Sequence, residues 1–219
     1  MLQVLSKNRI LITAYLLILV SSLILLGLLG KRETHLLFTH YHSAFVDGLM
    51  RLLTCFGDGI FMVITGVFLL FRRIRFGLVI LSSFLVSSLL VQLLKRFIFA
   101  DCQRPVAWFH EMGIEIYRIG GVEYHSAFSF PSGHTTTAFA LFFGLAFLVN
   151  NYRLKILFLI LAVITGFSRI YLSQHFLGDA LAGSIIGIFT VLVMHVLFEK
   201  QHSEWLDKSI ISLIRKKNV

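Results

Sequence analysis

The sequence predicts an all-α fold: an integral membrane bundle of six helices, read as one domain over residues 1–219, with both termini cytoplasmic. Three observations carry this expectation. Hydrophobic residues make up 57% of the chain and charged ones only 14%, against roughly 25% charged in an ordinary soluble domain. The apolar residues gather into runs of membrane-spanning grade from end to end. The basic residues stand in short clusters between those runs, so the net charge of +9 reads as membrane orientation and not as a nucleic-acid surface, which needs basic residues on one exposed face.

The spans fall at 10–29, 59–71, 76–94, 135–149, 156–170 and 180–198. The first follows a basic start and resembles a secretory leader. Its apolar run of about twenty residues is long enough to cross a bilayer, however, and no small-x-small cleavage site follows, so it reads as a retained helix. Several later runs are shorter than the ~20 residues a perpendicular helix needs, and their flanks are expected to continue the helices. An even number of spans puts both termini on one side. Twelve of the twenty Lys and Arg lie in the termini, the second–third loop and the fourth–fifth loop, including the short "RRIR" and "NNYRLK" turns. The excess of positive charge makes that side cytoplasmic.

The long links then lie outside. Residues 31–58 contain "FVDGLMRLLTCF", where Phe45, Leu49, Leu52, Leu53 and Phe56 fall near helical spacing. This predicts a short helix, either on the outer membrane surface or packed as a connector. In "HLLFTHYH", His35, His40 and His42 have only Glu33 as a neighbouring carboxylate and read as solvated or headgroup-facing rather than as a zinc site. His195, inside "VLVMHVLFEK", reads as packed or interfacial. Gly183 and Gly187 form a Gly-x-x-x-Gly suited to helix packing. Cys55 and Cys102 are too few for a disulfide scaffold and are left unpaired. The tail "LDKSIISLIRKKNV" carries Leu206, Ile210, Leu213 and Ile214 ahead of Arg215, Lys216 and Lys217, either an amphipathic helix on anionic lipid or a solvated basic tail.

Ionisable residues at a bilayer margin are costly and point to function. Here they occur at the outer ends of adjacent spans: Lys95, Arg96 and Arg104 after the third, "PSGH" (131–134) before the fourth, Ser168 and Arg169 after the fifth, His175 and Asp179 at the start of the sixth. His175 and Asp179 are four apart and would share a helix face. A carboxylate beside an imidazole fixes its tautomer and leaves the far nitrogen free to attack. Lys95, Arg104 and Arg169 supply positive charge suited to phosphate oxygens. Ser132 and Gly133 lead into a helix N-terminus, which favours an anion, and His134 is placed to protonate a leaving oxygen. Together these residues point to phosphoryl transfer through a phosphohistidine.

"PSGH" and "SRIYLSQHFLGD" (168–179) resemble the second and third signatures of the type 2 phosphatidic acid phosphatase superfamily, related to vanadium haloperoxidases. The likeness covers the third to sixth spans. The first signature departs: the family usually has Lys, six residues, then Arg-Pro, whereas here eight residues separate Lys95 from Arg104-Pro105 and seven separate Arg96 from it. The spacing leaves Lys95 and Arg96 both open for that place, although Arg96 also suits a helix end. The resemblance implies His175 as nucleophile, His134 as general acid then base, and Asp179 as partner of His175. It further implies that Lys95, Arg104, Ser132, Gly133, Ser168 and Arg169 hold phosphate, with no metal and no cofactor.

The expected protein is a metal-independent lipid phosphatase of a bacterial inner membrane, its site facing the periplasm. Its partners would be the bilayer and a lipid phosphomonoester or diphosphate: undecaprenyl diphosphate, phosphatidylglycerol phosphate, phosphatidate or a lipid A phosphate. Two rivals accompany this reading. A phosphotransferase would pass the phosphate to a second lipid, and a non-enzymatic lipid transporter would need a polar stripe through the membrane. Only Ser82, Ser83, Ser87 and Ser88 lie deeper than the outer margin.

Overall fold

A chain this apolar satisfies its backbone within each segment, because lipid offers no hydrogen-bond partners. The computed structural model describes residues 1–217, and among these there is no β-strand. The helices are α1 (Leu2–Lys7), α2 (Arg9–Phe38), α3 (Ala44–Leu53), α4 (Gly59–Arg72), α5 (Ile74–Leu93), α6 (Pro105–Glu111), α7 (Gly133–Leu148), α8 (Tyr152–Tyr171), α9 (Leu177–Glu199) and α10 (Ile210–Lys217). The side chains of Arg215, Lys216 and Lys217 lie outside the described residues, and with them the basic end expected of the tail.

Each expected span lies on a helix. Four of these helices (α2, α5 with the turn that follows it, α8 and α9) are long and apolar enough to cross a membrane. The count rises to five if α3 and α4, bent by 52° at their junction, form one span. The sixth candidate, α7, has 16 residues, about 24 Å at 1.5 Å per residue.

The shortest of these candidates except α4 is also the most enclosed. Eleven residues of α7 are buried, and α5, α8 and α9 surround it. Its contact with α9 depends on the Gly-x-x-x-Gly. A Cβ at Gly183 would stand 2.6 Å from the Ser132 carbonyl oxygen, and one at Gly187 would stand 2.4 Å from that of Thr136. The glycines therefore let two backbones touch within the bundle. Ser82 and Ser83 on α5 donate to the carbonyls of Leu78 and Val79 in the previous turn, and Ser87 donates to that of Phe84. These hydroxyls are satisfied by their own helix and form no transmembrane polar path.

The loops of the more basic set gather at one end of the bundle. Asp207 accepts from Arg73 at 2.9 Å and from Arg75 at 2.7 Å, tying the tail to the α4–α5 turn. Lys155 donates to Asn8 Oδ1 at 2.5 Å, tying the α7–α8 turn to the N-terminus. His195 packs near this end against Phe147, with Nε2 3.3 Å from Glu199.

The link between α2 and α4 departs from expectation in two ways. First, α2 does not end at 29. It kinks at Gly30 (φ 74°, ψ 173°) and runs on to Phe38; the positive φ suits glycine. Second, the three histidines are not a common solvated cluster. His35 is 1% exposed, and His42 Nδ1 lies 3.1 Å from Asp47 Oδ1. Asp47 also accepts from the Tyr171 hydroxyl at 2.6 Å, which ties α3 to α8. Only His40 remains exposed. An apolar count along 31–38 cannot reveal this, because the burial comes from elements more than seventy residues away. The short helix expected around residues 45–56 is present as α3, with Phe45 and Leu52 exposed and Asp47 turned inward. Cys55 and Cys102 are free.

Gly187→Leu is expected to destabilise the protein by about 1–3 kcal/mol through overpacking, read as a lower unfolding temperature in detergent. Gly27→Ala, where an added Cβ meets nothing within 4 Å, should leave that temperature unchanged or raise it slightly.

Candidate active site

At the other end of the bundle, α5, α7, α8 and the long link enclose a cavity of about 470 Å³. Lys95, Arg104, His134, Arg169, Gln174 and His175 stand on its wall, with Gly133 at the start of α7. Six of the nine expected site residues therefore meet at one cavity, and both imidazoles are among them.

The α8–α9 turn places His175. The helix stops at Tyr171, the N–H groups of Gln174 and His175 fold back onto the Arg169 carbonyl at 3.0 and 3.2 Å, and Ser173 takes a left-handed φ of 50°. α9 begins at Leu177 with Phe176 as its N-cap. His175 thus precedes the helix, so the shared-face argument does not describe its pairing with Asp179. The two still meet, with Nδ1 of His175 3.5 Å from Asp179 Oδ2, because the turn folds the ring back over the first turn of α9. Asp179 Oδ2 accepts hydrogen bonds from the Phe176 N–H at 2.9 Å and from Ser129 Oγ at 2.6 Å. A carboxylate at this helix position suits the unpaired N–H groups and the dipole.

The cations come from three elements. After α5 the chain makes a π-type turn over Leu94–Ile98, and such widened turns re-aim side chains. The turn absorbs part of the long spacing between Lys95 and Arg104. Lys95 is buried and donates to the Phe128 carbonyl at 2.7 Å, whereas Arg96 is exposed. Arg104 donates to the Ala127 carbonyl at 3.1 Å and to Gln174 Oε1 at 3.0 Å. Arg169 donates to Thr54 Oγ1 at 2.9 Å and to the same Gln174 oxygen at 3.4 Å. One amide oxygen therefore spaces two guanidinium groups that would otherwise repel.

Ser132 and Ser168 do not reach the cavity. Ser132 caps α7, its Oγ accepting from Thr135 Oγ1 at 2.9 Å, while its N–H donates to the Asp179 carbonyl at 3.0 Å. Ser168 is fully buried and donates to the Thr165 carbonyl at 2.7 Å. Both brace the frame. Sequence reasoning missed Gln174, Ser129 and Thr54. Gln174 lies inside "SRIYLSQHFLGD", beside His175, which is its local signal; Thr54 and Ser129 carry no local signal, since only tertiary contact gives them a charged partner.

Burial pushes the His175 imidazolium down to about 3, with Asp179 opposing the shift and Arg104 and Arg169 adding to it. The ring is therefore neutral at physiological pH and keeps a lone pair.

A helical protein of membrane composition with two imidazoles and three cations around one cavity is equipped to take a phosphoryl group from a membrane-borne anion. The chain belongs to the PAP2 superfamily, whose family model matches residues 76–203. Lipid A 1-phosphatase of Rhizobium johnstonii is 32% identical over 176 residues, covering 71% of this chain and 69% of that protein. Phosphatidylglycerophosphatase B of Bacillus subtilis is 29% identical over 161 residues, covering 69% and 68%. Two crystal structures share the fold. Aquifex aeolicus LpxE has a TM-score of 0.65 at 23% identity, covering 75% of this chain and 93% of its own. The PAP2-type phosphatidylglycerolphosphate phosphatase from Bacillus subtilis has a TM-score of 0.65 at 22% identity, covering 89% and 96%.

The His175 shift fixes the sign of a pH effect. Between about pH 6.5 and 3 the unfolded chain binds the proton that the folded site refuses, so stability falls as pH drops through that window. The unfolding temperature in detergent should fall from neutral pH downward, and less steeply in His175→Asn.

Proposed function

We propose that this multi-pass membrane protein hydrolyses lipid phosphates through a covalent phosphohistidine at the periplasmic face of a bacterial inner membrane. The chain is a lipid phosphate hydrolase of the PAP2 type. The observation that carries the mechanism is the placement of His134 and His175 on one cavity wall with Lys95, Arg104 and Arg169. Six helices cross the membrane, α7 being short because it is enclosed by protein, and both termini are cytoplasmic. The gathering of the more basic loops at the end away from the cavity supports this orientation.

Lys95, Arg104, Arg169 and the free N–H groups at the start of α7, opened by Gly133, hold the nonbridging phosphate oxygens. Asp179 orients His175 through Nδ1, and Nε2 attacks phosphorus. The bond from phosphorus to the lipid oxygen breaks as His134 delivers a proton to that oxygen. A water then attacks the phosphohistidine, giving its proton to His134 and releasing inorganic phosphate and free His175. No metal takes part in this scheme. Ser132 and Ser168 act by holding α7 and α8 in place. The relatives' names bring lipid A 1-phosphate and phosphatidylglycerophosphate forward as substrates; undecaprenyl diphosphate and phosphatidate share the same reacting group.

The test is phosphate release by detergent-purified protein over a panel of these lipids, with and without chelator. Turnover should survive chelation and need no added acceptor. His175→Ala should lower it by roughly 10³-fold or more, and His134→Ala should cost least on substrates with good leaving groups. Loss of activity on chelation, restored by metal, would refute the mechanism; phosphate release only with a second lipid present would indicate a transferase.

A further inference from the structure

The outer segment of α2 lies outside residues 76–203, which the family model matches, yet it reaches the turn that carries His175. Within the membrane α2 is loosely held, with 11% of its apolar window buried. Beyond the Gly30 kink this reverses. Thr34 and His35 are 0% and 1% exposed. Nε2 of His35 lies 3.2 Å from Ser173 Oγ, and its ring packs on Phe109 and Phe176 at centroid distances of 5.4 and 5.2 Å. One turn earlier, the Lys31 ammonium sits 3.9 Å from the Phe176 ring centroid and 4.8 Å from that of Trp108.

These partners are not scattered. Ser173 and Phe176 flank the Gln174–His175 pair. Ser173 is a non-glycine residue at φ 50°, a conformation that costs free energy and persists only when its surroundings impose it. Phe176 supplies one of the two N–H or O–H groups that bond Asp179 Oδ2. Trp108 and Phe109 belong to α6, the helix that Arg104 caps. The segment 31–38 thus touches both the His175 turn and the Arg104 helix, and His35 itself does not line the cavity.

We propose that His35 is a positioning residue: through its bond to Ser173 and its packing on Phe176, it holds the turn that aims His175 at the phosphoryl group. The proposal rests on the phosphohistidine reading above. A misaimed nucleophile lowers the rate of the chemical step more than substrate binding.

The test measures kcat and KM for His35→Phe, which keeps a ring but removes the bond, for Ser173→Ala, and for the double variant, on a lipid phosphate that the parent protein hydrolyses. Each single change should lower kcat about tenfold while KM moves less than about threefold. The double variant should be no slower than the slower single one, because both remove one interaction. His35→Gln, which restores a donor and an acceptor, should recover part of the loss. Parental kcat in either single variant overturns the proposal, as do losses that multiply in the double variant or a fall in kcat matched by an equal rise in KM. Ser173→Ala removes a single oxygen and decides the matter if the His35 variants fail to fold. His175→Ala separates the two levels: activity there sinks the phosphohistidine reading, whereas an inactive His175→Ala beside a parental His35→Phe sinks only the positioning role.

Discussion

The carboxylate of Asp179 is the point on which the cavity end of the molecule turns. A buried charge is costly unless it is paired and hydrogen-bonded. Here the partners come from two stretches of chain: Ser129 from the long link and, from the turn that leads into α9, the Phe176 N–H and the His175 ring, whose Nδ1 lies 3.5 Å away. The backbone carbonyl of the same residue accepts from Ser132, which starts α7. The charge is thus satisfied when the link meets the start of α9, and the carbonyl of the same residue ties α7 to them.

The rest of the bundle confines polarity to where it can be met. The start of α7 and α9 touch backbone to backbone at Gly183 and Gly187, and the hydroxyls of Ser184 and Thr190 further along α9 bond to their own helix. The serines of α5 bond within their own helix. Charges then collect at the two ends. At one end they form ion pairs that tie the tail to the α4–α5 turn. At the other they face a cavity, where Lys95, Arg104 and Arg169 donate to carbonyl, amide and hydroxyl oxygens and, among the described residues, form no ion pair with a carboxylate. Three cations with Asp179 as the nearby carboxylate leave an excess of positive charge that favours an incoming anion.

The helices and the gathering of six candidate residues were legible because both rest on local signals. Apolar length sets the spans, and an ionisable group at the edge of an apolar run stands out. The exceptions have specific causes. His175 and Asp179 meet through a turn that folds back, not through helical spacing. Lys95 was separated from Arg96 by a π-type turn that spacing does not announce. Ser132 and Ser168 look the same in sequence whether their hydroxyls face a cavity or a backbone carbonyl, and here they face protein.

Composition and hydropathy by themselves determined an all-helical membrane chain, the positions of its apolar helices, and the end at which its candidate site residues gather. These follow from the cost of placing backbone and charge in lipid, which acts on each segment separately. Tertiary structure alone decided which cation faces the cavity, that one glutamine oxygen spaces two arginines, and that His35 is enclosed against the turn bearing His175. Such outcomes depend on groups distant in the chain reaching within a few ångströms of one another, and no stretch of sequence carries that distance.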